Sequence, residues 1–153
     1  MNSAEYLTSL FDLSGRVAVV IGGTGELCGA MAEGLAGAGA EVVLVGRNTD
    51  KAQSRIDRIT ANGGTAWFQA TEATSKQELE GLRDNVLQRA GRLDIVVNGA
   101  GVNSATPFTE ISEEEFERIV QVNLKSVFMG CQIFGQALID QGEGGSIINL
   151  GSM

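Results

Sequence analysis

The chain has 153 residues, 43% of them hydrophobic, and a formal net charge of −8. Length and composition suit one domain with a substantial core, and the acidic balance argues against nucleic acid or an anionic membrane surface as the main partner. With no histidine and only two well-separated cysteines, Cys28 and Cys131, no metal site is expected, and the cysteines read as packing residues in a reducing compartment.

At the amino end, Glu5 and Asp12 interrupt any apolar run, so no signal peptide is expected. No stretch is long enough to cross a bilayer, and a soluble cytoplasmic protein is the reading. Val17 to Ile21 is apolar throughout and predicts a buried parallel strand. It runs into Gly22-Gly23-Thr24-Gly25, and a helix follows from about Glu26 to Ala38, with Leu27, Met31 and Leu35 recurring every fourth residue. Gly39 acts as a stop, and Glu41 to Val45 reads as a second strand. A polar helix from Asp50 to Ala61 is closed by Asn62-Gly63-Gly64, before a third strand from Thr65 to Gln69.

Ser75 with Glu78 forms a capping box. It opens a helix whose apolar stripe is Leu79, Leu82, Val86 and Ala90 and which ends at Gly91. Leu93 to Val97 is a fourth strand. A second capping box, Ser112 with Glu115, opens one long helix to about Asp140, and Gly142 to Gly145 turn the chain into a fifth strand, Ser146 to Leu150. Apolar strands alternating with helices predict an α/β fold: a doubly wound, Rossmann-like parallel sheet of three layers, ending after its fifth strand. In such sheets ligands sit beyond the carboxyl ends of the strands, at the point where strand order reverses.

The strand, glycine turn and helix start at residues 17–30 make a place for a phosphate. Glycines let the backbone approach closely, and the free N–H groups of the helix's first turn face the anion. An ordinary tight βα turn is the alternative. No Gly-Lys-Ser/Thr follows the loop, so a kinase-like phosphate site is not indicated.

Several separated segments together resemble the amino-terminal portion of the short-chain dehydrogenase/reductase family. Phe11-Asp12-Leu13-Ser14-Gly15-Arg16 resembles its lead-in, and Gly22 to Gly29 occupies its cofactor loop. Asn98-Gly99-Ala100-Gly101 after the fourth strand resembles its Asn-Asn-Ala-Gly segment. Asn123 matches its active-site asparagine, and Gly145 to Ser152 matches its fifth strand and serine. The run from Gly25 to Met31 and the region Ile133-Phe134-Gly135 look similar to sugar-acid and polyol reductases.

The resemblance implies a cofactor site formed by Gly22, Gly23, Thr24, Gly25, Glu26, Leu27, Arg47, Asn48, Glu72, Ala73, Asn98, Gly99, Ala100 and Gly101. Glu26 and Cys28 stand where the family has glycines. A carboxylate at Glu26 would repel a diphosphate unless it points to solvent, so affinity is expected to rest on backbone N–H groups near Gly25 to Leu27. Glu72-Ala73-Thr74 replaces the family's aspartate, which meets the adenine. An acidic residue ending the second strand would select NAD(H) through the ribose 2′-hydroxyl. Here Gly46-Arg47 stands there, and Arg47 can pair with a 2′-phosphate, so NADP(H) is favoured, with NAD(H) possible.

The implied reaction moves a hydride between nicotinamide and a small-molecule carbonyl or alcohol, with Ser152 and Asn123 as catalytic residues. On its helix Asn123 has Phe116, Ile119, Val120, Leu124, Val127, Phe128 and Cys131 around it, a face expected to be apolar. An amide buried there unpaired costs about 1–3 kcal/mol, so it needs partners; a helix-bending structural role is compatible with catalysis. The family's Tyr-x-x-x-Lys pair falls beyond Met153, with later strands and the substrate-covering segment. Either these residues are part of a longer reductase, the 153 alone being inactive, or they form a short dinucleotide-binding module without redox chemistry. An apolar fifth strand at the sheet edge and the apolar long helix lead us to expect a homo-oligomer, tetramer or dimer.

Overall fold

The computed structural model describes residues 2–151, and Ser152 therefore lies outside the described residues. The strands are β1 (Val17–Ile21), β2 (Glu41–Gly46), β3 (Thr65–Ala70), β4 (Ile95–Asn98) and β5 (Ser146–Asn149), all parallel, in the order β3-β2-β1-β4-β5. The order reverses between β1 and β4, so the loops leaving these two strands diverge and open a crevice.

Alternation along the strands divides the core into two layers. Val17, Val19 and Ile21 pack with Val43, Val45, Leu79, Leu82 and Phe134 on one face. Ala18 and Val20 pack with Val42, Leu44, Cys28, Ala32 and Ile59 on the other. The second layer is supplied by α2 (Glu26–Gly37) and α3 (Thr49–Ala61), the first by α4 (Lys76–Ala90) and α6 (Ser126–Gln141). The doubly wound, three-layered Rossmann-like sheet is as expected. Among the described residues no helix is long and apolar enough to cross a membrane.

Four features differ from expectation. First, α1 (Ser3–Phe11) precedes the sheet, opened by a reciprocal cap in which Glu5 N–H donates to Asn2 Oδ1 and Asn2 N–H to Glu5 Oε2, both at 2.9 Å. Second, the long helix is continuous as expected but not α-helical throughout: α5 (Glu113–Val120) passes through a π-helical segment, Gln121–Lys125, into α6. Ser126 Oγ donates to Val122 O at the end of that segment.

Third, both serines cap as expected, but their glutamates turn elsewhere. Glu78 accepts from Glu72 N–H at 2.7 Å, and Glu115 from the Thr106 hydroxyl at 2.9 Å. Fourth, β4 starts two residues late because Asp94 anchors the sheet's lower end. It accepts from Val17 N–H at 2.9 Å and from Arg16 and Arg92. Burial pushes the Asp94 carboxyl up, but these hydrogen bonds outweigh it and bring its pKa down to about 2.

Candidate cofactor site

The loops at the carboxyl ends of β1, β2, β3 and β4 surround a groove of about 640 Å³, whose outer wall is α5 and the π segment. Its floor is the glycine loop. Gly22 has φ +84°, and a Cβ there would lie 2.7 Å from Gly99 O, so the loops after β1 and β4 approach as only glycine allows. Gly22 and Gly23 N–H groups both donate to Val45 O, at 2.9 and 3.0 Å, which pins the turn to β2. Gly23 is thereby buried beneath the groove, and Thr24 and Gly25 line it.

Gly25 is the N-cap of α2 and offers no side chain to its first turn. The other helix starts on this part of the fold differ: Asn48 accepts from Lys51 N–H, Ser75 from Glu78 N–H and Ser112 from Glu115 N–H. The first N–H groups of an α-helix have no intrahelical acceptor. At α2 they belong to Glu26, Leu27 and Cys28, and they start at the rim of the groove. The Glu26 side chain is 94% exposed and Leu27 is turned to solvent, so neither blocks it. Cys28 is buried with its thiol 3.7 Å from Gly99 O, and burial pushes that thiol's pKa up.

At the end of β2, Arg47 lines the groove with its side chain 79% exposed, and its Nη1 lies 3.5 Å from Glu72 Oε2. Asn48 turns its side-chain oxygen to the α3 cap instead. Glu72 and Ala73 line the groove after β3; Glu72 Oε1 accepts from Thr74 N–H and hydroxyl at 3.1 and 3.0 Å. After β4, Gly99, Ala100 and Gly101 line it.

Asn98 is buried behind them, donating to Asn149 Oδ1 at 2.9 Å; its own Oδ1 has no partner among the described residues. The outer wall adds Glu114, Glu117, Arg118, Gln121 and Val122, which the motifs did not single out. They come from the start of the long helix, and their only sequence signal was position upstream of Asn123.

Asn123 sits in the π segment, exposed rather than buried among apolar side chains. It finds its partners on the β4 loop: it donates to Val102 O and accepts from Val102 N–H, each at 2.8 Å. The apolar face around it is a correction. Phe116 is 61% and Phe128 62% exposed, with Val120 and Leu124 also exposed. The cause is position: α6 turns Met129, Ile133 and Phe134 into the core and leaves Phe128 on its outer side, whereas α5 meets chiefly the π segment.

A parallel sheet wound this way, with a glycine turn under an uncapped helix start and an asparagine on a π turn beside the crevice, is a Rossmann-like fold. The short chain dehydrogenase family model matches residues 16–153, and the chain belongs to this family. It is 35% identical over 147 residues to the 2-dehydro-3-deoxy-D-gluconate 5-dehydrogenase of Escherichia coli strain K12, covering 96% of this chain and 57% of that protein. A solved short-chain type dehydrogenase/reductase from Mycobacterium marinum superposes with a TM-score of 0.91 at 35% identity, over 95% of this chain and 59% of that one. A metagenomic short-chain oxidoreductase solved in complex with NADP gives 0.85 at 34% identity, over 92% and 64%. The chain thus covers less than two thirds of the length of each of these proteins.

Proposed function

We propose that these residues form the cofactor-binding part of an NAD(P)-dependent oxidoreductase, which moves a hydride between nicotinamide and a carbonyl or alcohol carbon of a small molecule. The observation that carries this is the side-chain-free start of α2 at the groove's rim, set on the turn that Gly22 makes possible. The free amides there would take the diphosphate, and the helix dipole favours its charge. Gly99, Ala100, Gly101, Glu72 and Ala73 would flank the nucleoside.

NADP(H) is the preferred cofactor in this reading. Gly46 ends β2 without a carboxylate, and Arg47 beside it offers a planar fork to a 2′-phosphate. When bound, the nicotinamide supplies the hydride chemistry. The chain's own contribution is to hold the cofactor, and through Asn123 to fix the β4 loop beside it. Ser152 is proposed as a donor to the substrate oxygen. Sugar acids and polyols are the substrates to try first, sugar acids because the Escherichia coli relative is a 2-dehydro-3-deoxy-D-gluconate 5-dehydrogenase. The exposed stripe Phe116, Val120, Leu124 and Phe128 supports a homo-oligomer.

The test is turnover by the intact protein over a carbonyl and polyol panel with each cofactor. Cofactor-dependent reduction or oxidation is expected, faster with NADP(H). Saturable cofactor binding without turnover on any substrate would favour a binding module instead.

A further inference from the structure

Arg55, on the supposedly polar helix α3, is only 5% exposed. Its Nη1 pairs with Glu33 Oε1 at 2.7 Å, its Nη2 donates to Gly25 O at 3.3 Å, and its Nε has no partner among the described residues. Glu26 Oε2 lies farther off, at 3.8 Å. Gly29, one turn into α2, makes the space: a Cβ there would overlap the guanidinium. A cation with one close carboxylate and an unpaired N–H is an expensive group to bury, and an apolar side chain would fill the same volume more cheaply. Stability alone gives no reason for an arginine here.

Its position does. In the glycine loop it reaches, Gly22 and Gly23 are held to Val45 O, whereas Gly25 N–H bonds only within the loop. Gly25 carries no side chain to pack, and its carbonyl accepts from Gly29 N–H at 2.9 Å as well as from Arg55. Gly25 N–H in turn donates to Gly22 O at 2.8 Å. The guanidinium is therefore bonded to one end of a short chain of contacts that ends at the positive-φ glycine.

We propose that Arg55 is a positioning residue for dinucleotide binding: it holds the Gly25 carbonyl inward, so that the amides at the start of α2 stay presented to a diphosphate. A loop ordered beforehand binds more tightly because less freedom is lost on binding. This rests on the cofactor reading above.

The test titrates the intact protein with ADP-ribose, NADH and NADPH, and measures inhibition by adenosine, which carries no phosphate. Arg55→Met should raise all three dissociation constants together, by about tenfold. Adenosine inhibition and kcat at saturating cofactor should be unchanged, and Arg55→Lys should recover part of the loss. Gly29→Ala, which displaces the fork but keeps the charge on the chain, should reproduce the loss if Arg55→Met does not fold.

Unchanged binding in the folded variant overturns the proposal, and so does equal weakening of adenosine. A loss confined to NADPH overturns it too, since Arg55 would then read the 2′-phosphate. A wild-type protein that binds none of the three refutes the cofactor reading itself; wild-type binding with unaffected variants refutes this proposal alone.

Discussion

Asn123 and Val102 are joined by a reciprocal pair of hydrogen bonds, side-chain amide to backbone amide, each 2.8 Å long. Together the two bonds act like a rung between strands, and they fasten the loop after β4 to the π turn of the long helix. The next residues of that loop are tied to α5 as well: hydroxyls of Ser104 and Thr106 hydrogen-bond Glu115 and lower its pKa. The groove's outer wall is thus attached to the loop after β4 at two places.

Asn123→Ala removes both bonds to Val102. The expected result is a kcat at least tenfold lower, with a stability loss of about 1–2 kcal/mol. Asn123→Asp keeps the acceptor for Val102 N–H but loses the donor to Val102 O, so an intermediate effect is expected. Steady-state kinetics with chemical denaturation of both variants checks this. Full activity in Asn123→Ala would show that the β4 loop holds its position without the rung.

Arg47→Asp should move cofactor preference from NADPH toward NADH by about tenfold in kcat/KM. It places a carboxylate where the 2′-phosphate would lie and beside Glu72, which now sits 3.5 Å from the guanidinium. Kinetics with both cofactors reads the ratio directly. Unchanged selectivity would remove Arg47 from cofactor choice.

Asp94 gives a pH dependence of stability. Its pKa is about 2 in the folded chain against an ordinary 3.8, so the folded state holds it deprotonated more strongly than the unfolded state does. The contribution is full above about pH 4 and is lost as pH falls through 2. Its size is about 1–2 kcal/mol, since Arg16 and Arg92 are partly in water. Asp94→Asn should destabilise the protein by about 2–4 kcal/mol at pH 7 and flatten this acid limb. Urea unfolding at several pH values between 2 and 7 compares the two proteins.

Phe116, Val120, Leu124 and Phe128 recur every fourth residue and face solvent. If copies of the chain cover this stripe, Phe128→Glu should shift the intact protein to a monomer in size-exclusion chromatography with light scattering. A wild-type monomer, or an unaffected oligomer in the variant, contradicts that assignment.

Much of the fold was legible because its signals are local. Five apolar residues at β1, a glycine turn and a four-residue periodicity in α2 need no tertiary information to be read. Ser75 and Ser112 were legible as caps for the same reason. The partners of Glu78 and Glu115 were not, because a long side chain can choose a distant donor over the adjacent N–H.

The π turn has no composition signal beyond an asparagine in a helical run. Which face of the long helix is buried depends on where the strands end beneath it, and sequence periodicity does not carry that. Arg55 carries no local signal because helix α3 is polar overall, and the space for its guanidinium is made by Gly29 on another element.

The central claim is that the turn at Gly22 and the uncapped start of α2 hold a dinucleotide's diphosphate. Direct titration of the intact protein with NADPH and NADH, beside Gly22→Val, tests it most simply. Saturable binding by the wild type is expected. No binding is expected by the variant, whose side chain meets the Gly99 carbonyl at a φ of +84°. A folded wild-type protein that binds neither cofactor, or a Gly22→Val variant that binds as well as the wild type, would contradict it.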